Sequence, residues 1–177
     1  MEIGINMMTD ILTMGKNART ASRSLGKLGT NKKNEVLLAV AEAIRANADY
    51  ILEENHKDVE QGKADGMKSG LLDRLTLTKA RIDGMADGVN QVAGLDDPVG
   101  EVLSMKKRPN GLLIGKKRVP FGVIAVIYES RPNVTLDTFG LCFKTGNAVI
   151  LKGGSDAINS NIAIANVIRE ALKANGI

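Results

Sequence analysis

FGVIAVIYESRPNVTLDTFGLCFKTGNAVILKGGSD, residues 121–156, decides the fold. It opens on FGVIAVIY, a run without polar alternation. That pattern predicts an interior strand covered on both faces rather than a half-wet one. Thr135 then starts a helical stretch, TLDTFGLCFKTG, closed by Gly146. NAVILKGG is a second apolar strand. Ser155 opens a second helix, with Ile158, Ile162, Ala165, Ile168 and Leu172 in register, ending at Asn175–Gly176. Strand, helix, strand, helix in that order predicts a βαβα unit with a parallel sheet, the first half of a Rossmann-like fold of the α/β class.

Working outward, the preceding segment changes grammar. EVLSMKKRP and LLIGKKRVP flank Asn110-Gly111, a strong hairpin signal. Its lysines and arginines place both arms near water. With little apolar alternation the hairpin is weakly specified alone, which points to another chain or domain lying against it. Residues 1–98 read as helices. Thr9 or Asp10 can cap the first, whose apolar side is Ile11, Met14, Ala18, Ala21 and Leu25. Thr30 opens the longest, expected to run to about residues 58–61 and stop near Gly62, with Val36, Val40, Ile44, Ala48 and Ile51 on one face. Its opposite face, Lys32, Lys33, Glu35, Glu42, Arg45 and Glu53, reads as solvated. Ser69–Leu75 is a short helix. Thr78 caps another, with Ile82, Met85, Val89 and Val92 in register. The expected organisation is therefore a helical segment over 1–98, a hairpin arm over 99–120 and the βαβα unit over 121–177.

Composition narrows the function. The chain has 177 residues with 44% hydrophobic and 25% charged content, ordinary for one globular domain. Aromatics are only 3%, with no Trp, so a stacking platform for nucleic-acid bases is not expected. The formal charge of +4 suits anionic small molecules as well as nucleic acid. One cysteine excludes an intramolecular disulfide and a cysteine-based zinc cluster, and fits a reducing cytoplasm. The single histidine, His56, has no second one to share a metal and reads as a solvated helix residue, so no metal is expected. MEIGINMMTD lacks the basic-then-apolar pattern of a signal peptide, and no apolar run reaches membrane-spanning length. Cytoplasmic localisation is the expectation.

In an open α/β sheet, ligands bind at the carboxyl ends of the strands. Two such ends are visible, VIYESRPN and LKGGSD. The first gathers Tyr128, Glu129, Arg131 and Asn133 around a proline, or is simply a polar loop. At the second, Gly153 and Gly154 let a backbone approach a ligand, Lys152 adds positive charge, and Ser155 with the following helix N-terminus can receive an anion. It also reads as a plain strand-to-helix turn. Neither a Walker loop nor G-x-G-x-x-G is present. Cys142, among Phe139 and Phe143, reads as a buried structural thiol.

The run RVPFGVIAVIYESRPNVTLDTFGLCFKTGNAVILKGGSDAINSN, residues 118–161, strongly resembles the gamma-glutamyl phosphate reductase family of the aldehyde dehydrogenase superfamily, and the upstream LDDPVGEVLSMKKRPNGLLIGKKRVPFG fits it too. The resemblance implies NADPH-dependent reduction of L-glutamyl 5-phosphate to L-glutamate 5-semialdehyde with phosphate release, a step of proline biosynthesis. It implies a thioester route through a cysteine. That cysteine falls in a later segment of the family's chain, so Cys142 is not it, no catalytic residue is expected here, and the chain alone is expected to be inactive. The superfamily's proline-tryptophan-asparagine turn falls on Tyr128, Glu129 and Ser130, and its next proline on Pro132. The asparagine that helps hold the thioester oxygen is thus Ser130, leaving Asn133 or a backbone donor to substitute. Ile127, Tyr128, Glu129 and Ser130 are implied to lie under the nicotinamide half of the cofactor, and Lys152, Gly153 and Ser155 near its adenine-side ribose. NAD-using relatives often carry a glutamate where Ser155 stands. A serine there removes repulsion against a 2′-phosphate, and Lys152 attracts it, which favours NADP(H). Arg131 and Asn133 are the implied substrate contacts. The hairpin over 99–120 is implied to serve a homo-oligomer. The competing reading is a non-catalytic nucleotide-binding or interaction module built on the same half-fold.

Overall fold

The computed structural model describes residues 3–177, with side chains from Ile11 onward. Its elements run α1 (Ile3–Leu25), α2 (Thr30–Ala46), α3 (Ala48–Ala64), α4 (Ser69–Leu75), α5 (Lys79–Gly94), β1 (Val102–Lys107), β2 (Leu113–Lys117), β3 (Val123–Ile127), α6 (Asn133–Lys144), β4 (Ala148–Lys152), a 3-10 turn (Ser155–Ala157) and α7 (Ile158–Ala174). β3 and β4 pair in parallel, Val123 opposite Ala148 through Ile127 opposite Lys152. β1 and β2 form a separate antiparallel hairpin. The α/β class and the βαβα order hold as expected.

The core lies among α2, α5, α6 and α7. Leu37, Ile44, Ile82, Leu136 and Ile164 are fully buried there, each contributing about 2 kcal/mol of apolar burial. α1 crosses β4 and touches β3. α4 spans the residues its pattern predicts, and Thr78 caps α5, its hydroxyl accepting from the Arg81 N–H at 3.2 Å. At the hairpin tip Gly111 takes φ +88°, and the Asn110 side chain accepts from the Leu112 N–H at 3.2 Å. Only a residue tolerant of positive φ closes that turn cheaply.

Several expectations are corrected. α1 begins at Ile3 and runs through Thr9 and Asp10, so neither caps it. The long helix is two. Asn47 leaves helical geometry at φ −105°, ψ 20°, and both its N–H and its side-chain amide donate to the Ala43 carbonyl. A carbonyl engaged twice ends α2, and α3 restarts at Ala48. Lys33 is not solvated but 1% exposed, its ammonium 2.8 Å from Asp97. β3 is not covered on both faces, for Ile127 is 81% exposed. Its only strand neighbour among the described residues is β4. α6 starts at Asn133 rather than Thr135. The helix after β4 starts with the 3-10 turn, where the Ser155 side chain caps nothing, and α7 follows from Ile158. α7 buries Ser160, Ala163, Ile164, Val167, Ile168 and Ala171, while Ile158 and Ile162 are exposed. No helix among the described residues is long and apolar enough to cross a membrane.

Candidate functional site

Parallel pairing brings the two strand ends together. The Tyr128 N–H donates to the Lys152 carbonyl at 3.1 Å, extending the ladder one residue beyond β3. The Ser130 hydroxyl donates to the Asp156 carboxylate at 2.7 Å. A Cβ on Gly154 would lie 3.4 Å from the Glu129 carbonyl carbon and 3.5 Å from the Ser130 nitrogen, so the YESRPN turn rests on the GGSD corner. Ile127, Tyr128, Glu129, Ser130, Lys152, Gly153 and Ser155 therefore form one neighbourhood at the carboxyl end of the sheet. Glu129, Lys152 and Ser155 are exposed there.

Beneath this surface runs a polar chain. Thr135 has one hydroxyl proton, which it donates to Asn161 Oδ1 at 2.9 Å. Its contact with the Tyr128 hydroxyl at 2.7 Å is thus donated by the tyrosine. Burial raises the Tyr128 pKa above its ordinary value, so the phenol stays a neutral donor at neutral pH. Asn161 Nδ2 is buried without a hydrogen-bond partner among the described residues. It faces Gly153, where an added Cβ would meet it at 2.3 Å and the Tyr128 ring at 3.2 Å. The glycine is needed first for this internal packing. Gly153→Ala is expected to lose about 1–3 kcal/mol of stability by overpacking, and Asn161→Ala in the same chain to restore most of it. Thermal unfolding of the single and double variants checks this.

Arg131 and Asn133 sit where that turn runs into α6, at the edge of the neighbourhood. They line a cleft of about 410 Å³ with α4 and the start of α5. The Asn133 amide donates to Asp137 at 3.0 Å. Cys142 is buried, and burial pushes its thiol pKa up. It neighbours Phe143 in the chain, whose ring stacks on Phe139 with centroids 5.5 Å apart. His56 is exposed, and no group of three potential metal ligands exists among the described residues.

Sequence reading missed Asp156, Thr135, Asn161 and Asp58. Asp156 had a signal: an aspartate beside Ser155 opposes a purely anion-binding corner. The Asp58 carboxylate, 3% exposed, accepts from the backbone N–H groups of Asn159 and Ser160 at 3.2 and 2.8 Å, and so caps α7 from α3. Nothing local in the sequence marks that contact.

A parallel βαβα unit with polar residues at its strand ends is part of an open α/β fold, and comparison fixes its family. Residues 6–177 match the aldehyde dehydrogenase family, and the chain belongs to it. Two of its relatives are gamma-glutamyl phosphate reductases. That of Lachnospira eligens is 62% identical over 170 residues, covering 96% of this chain and 41% of the relative. That of Geobacter metallireducens is 53% identical over 167 residues, covering 94% and 40%. The crystal structure of gamma-glutamyl phosphate reductase from Thermotoga maritima superimposes with a TM-score of 0.90 at 47% identity, over 92% of this chain and 39% of that one. The Saccharomyces cerevisiae enzyme gives 0.87 at 35% identity, over 92% and 41%. The chain thus spans about two fifths of the length of these relatives.

Proposed function

We propose that this chain forms the cofactor-side portion of an enzyme that reduces L-glutamyl 5-phosphate with NADPH to L-glutamate 5-semialdehyde, releasing phosphate. Its likeness to gamma-glutamyl phosphate reductases supports the reaction. The observation that carries the reading here is the merger of the two strand ends through Tyr128–Lys152 and Ser130–Asp156. The corner fits a dinucleotide phosphorylated on its ribose. Lys152 and Ser155 are exposed beside each other, and the Ser155 hydroxyl makes only a 3.4 Å contact, to Asp156. The Asp156 carboxylate is already engaged by Ser130. When bound, the cofactor would supply the hydride.

The residues of this chain orient and select. Lys152 would hold the 2′-phosphate by charge, and Ser155 in place of a glutamate leaves one carboxylate, Asp156, at the corner rather than two. The Ser130 hydroxyl gives its one proton to Asp156, so it is not the donor that holds an oxyanion. The second proton of the Asn133 amide and the backbone N–H groups of the turn remain for that role. Arg131 draws the anionic substrate toward the turn. The exposed Met105, Leu112, Leu113 and Ile114 of the hairpin support its reading as a self-association arm.

The test is a chimaera in which this chain replaces the matching part of the Thermotoga maritima relative. The chimaera is expected to oxidise NADPH with L-glutamyl phosphate, and this chain alone to show no turnover. Ser155→Glu in the chimaera is expected to shift the kcat/KM ratio toward NADH by about tenfold or more. An inactive but folded chimaera refutes the reading, and an unchanged cofactor ratio refutes the role of Ser155.

A further inference from the structure

The cleft that holds Arg131 and Asn133 carries more charge than the turn alone would place there. α4 contributes Asp73 and Arg74, α5 contributes Arg81, and α6 contributes Asp137. Arg81 is spent on structure. It binds Asp73 through an ion pair at 2.8 Å and through the Asp73 backbone carbonyl, and it donates to the Thr76 carbonyl at 2.6 Å. That set fixes α4 against α5 and neutralises Asp73. Arg74 and Arg131 are exposed and hold no carboxylate among the described residues. Asp137 lines the same cleft; its Oδ2 takes the Asn133 amide, and its Oδ1 makes no hydrogen bond among the described residues. Two uncommitted guanidinium groups and one carboxylate with a free oxygen thus share a cavity of about 410 Å³, within the range of small-molecule sites.

Both signs in one small cleft match a zwitterion better than a simple anion. A guanidinium takes a carboxylate with paired N–H donors, and a carboxylate takes an ammonium. We propose that this cleft binds the α-amino acid end of the substrate, with Arg74 and Arg131 on the α-carboxylate and Asp137 on the α-ammonium. The assignment rests on the reduction reading above and extends it. Arg131 belongs both to the turn at the strand ends and to this cleft, so the reacting acyl end of a short amino acid would be directed toward the turn. Burial in the cleft raises the Asp137 carboxyl above its ordinary value, against the bond from Asn133. An incoming ammonium would stabilise the ionised form.

The test is direct binding to this chain, without cofactor or phosphate. The 15N-labelled protein is titrated with L-glutamate γ-methyl ester, which keeps the amino acid end and removes the distal charge. The comparator is monomethyl glutarate, which lacks the ammonium. Saturable amide shifts are expected around residues 74, 84 and 131–137, with the comparator binding about tenfold more weakly. Arg74→Gln and Arg131→Gln are each expected to weaken the ester about tenfold. Asp137→Asn is expected to erase the difference between the two ligands. Shifts elsewhere, no saturable binding, or equal affinity for both ligands overturns the assignment. Turnover by the chimaera that is indifferent to Arg74→Gln would overturn it too and leave the reduction reading standing. Cleft binding with an inactive chimaera would do the reverse.

Discussion

Asp97→Leu is expected to destabilise the fold by about 3–5 kcal/mol, because it strips a buried lysine of its counter-charge. The Lys33 and Asp97 side chains are only 1% and 7% exposed and lie 2.8 Å apart. The carboxylate also accepts from the Thr30 hydroxyl at 3.0 Å and from the Val99 N–H at 3.0 Å. It thereby ties the start of α2 to the loop that leads into the hairpin. Lys144 lies near, donating to Asn34 at 2.7 Å and to the Ala93 carbonyl at 2.8 Å. Burial lowers the Lys144 pKa. Losing Asp97 would leave the buried Lys33 ammonium without its ion-pair partner and would remove one of the two negative charges that act on Lys144. The double variant Lys33→Met with Asp97→Leu separates charge from packing. It is expected to recover most of the loss, since an apolar pair of similar volume often replaces a buried ion pair at little cost. Urea unfolding of the three proteins at neutral pH measures both terms.

The same pair predicts a pH response. Burial alone would raise the Asp97 carboxyl, but the bonds from Lys33, Val99 and Thr30 outweigh it and leave the value below the ordinary 3.8. A carboxylate depressed in the folded state adds stability that is fully present above 3.8 and is lost as pH falls through the lower folded value. The native protein is therefore expected to lose stability on acidification below about pH 4 more steeply than the double variant.

What the sequence disclosed and what it hid divide along one physical line. The βαβα order, the Asn110-Gly111 hairpin, the short helix Ser69–Leu75 and the Thr78 cap were legible because their signals lie within a few residues of each other. The meeting of the two strand ends was legible because parallel pairing follows from that order. The break at Asn47 was hidden because an asparagine amide folding back on Ala43 leaves the hydrophobic period intact across the junction. The burial of Lys33 was hidden because its partner lies 64 residues away. β3 read as fully buried because an apolar run records the environment a strand is built for. In this chain Ile127 is left 81% exposed. Gly153 read as an opening for a ligand, yet the side chain that fills the space beside it, Asn161, comes from the next helix.

Asp58→Ala is expected to have an effect of similar size and to reach the candidate site. α7 has Ala157 at its N-cap, a residue with no side-chain oxygen to offer. Asp58, on α3, supplies what is missing: one carboxylate oxygen accepts from the Asn159 N–H and side-chain amide, and the other from the Ser160 N–H and hydroxyl. Its charge also faces the positive end of the helix. Asn55 completes the network, donating to Ser160 at 2.9 Å and to the Leu75 carbonyl at 2.8 Å, and accepting from the Leu77 N–H. Removing the carboxylate leaves buried donors unpaired and a helix start uncapped, together about 3 kcal/mol. Asp58→Asn keeps one acceptor oxygen and is expected to lose about half as much. Hydrogen exchange distinguishes a local effect from a global one. The amides of Asn159 and Ser160 should lose protection beyond what the fall in global stability explains. Asp156, which holds Ser130, lies two residues before the first helical turn that Asp58 secures. A loosened α7 start should therefore free the Ser130–Asp156 contact and weaken cofactor binding in the chimaera. Asp97→Leu, whose side-chain contacts are with Thr30, Lys33 and Val99, should lower stability and leave cofactor affinity unchanged. If both variants reduce affinity equally, the coupling between the Asp58 cap and the strand-end corner is refuted.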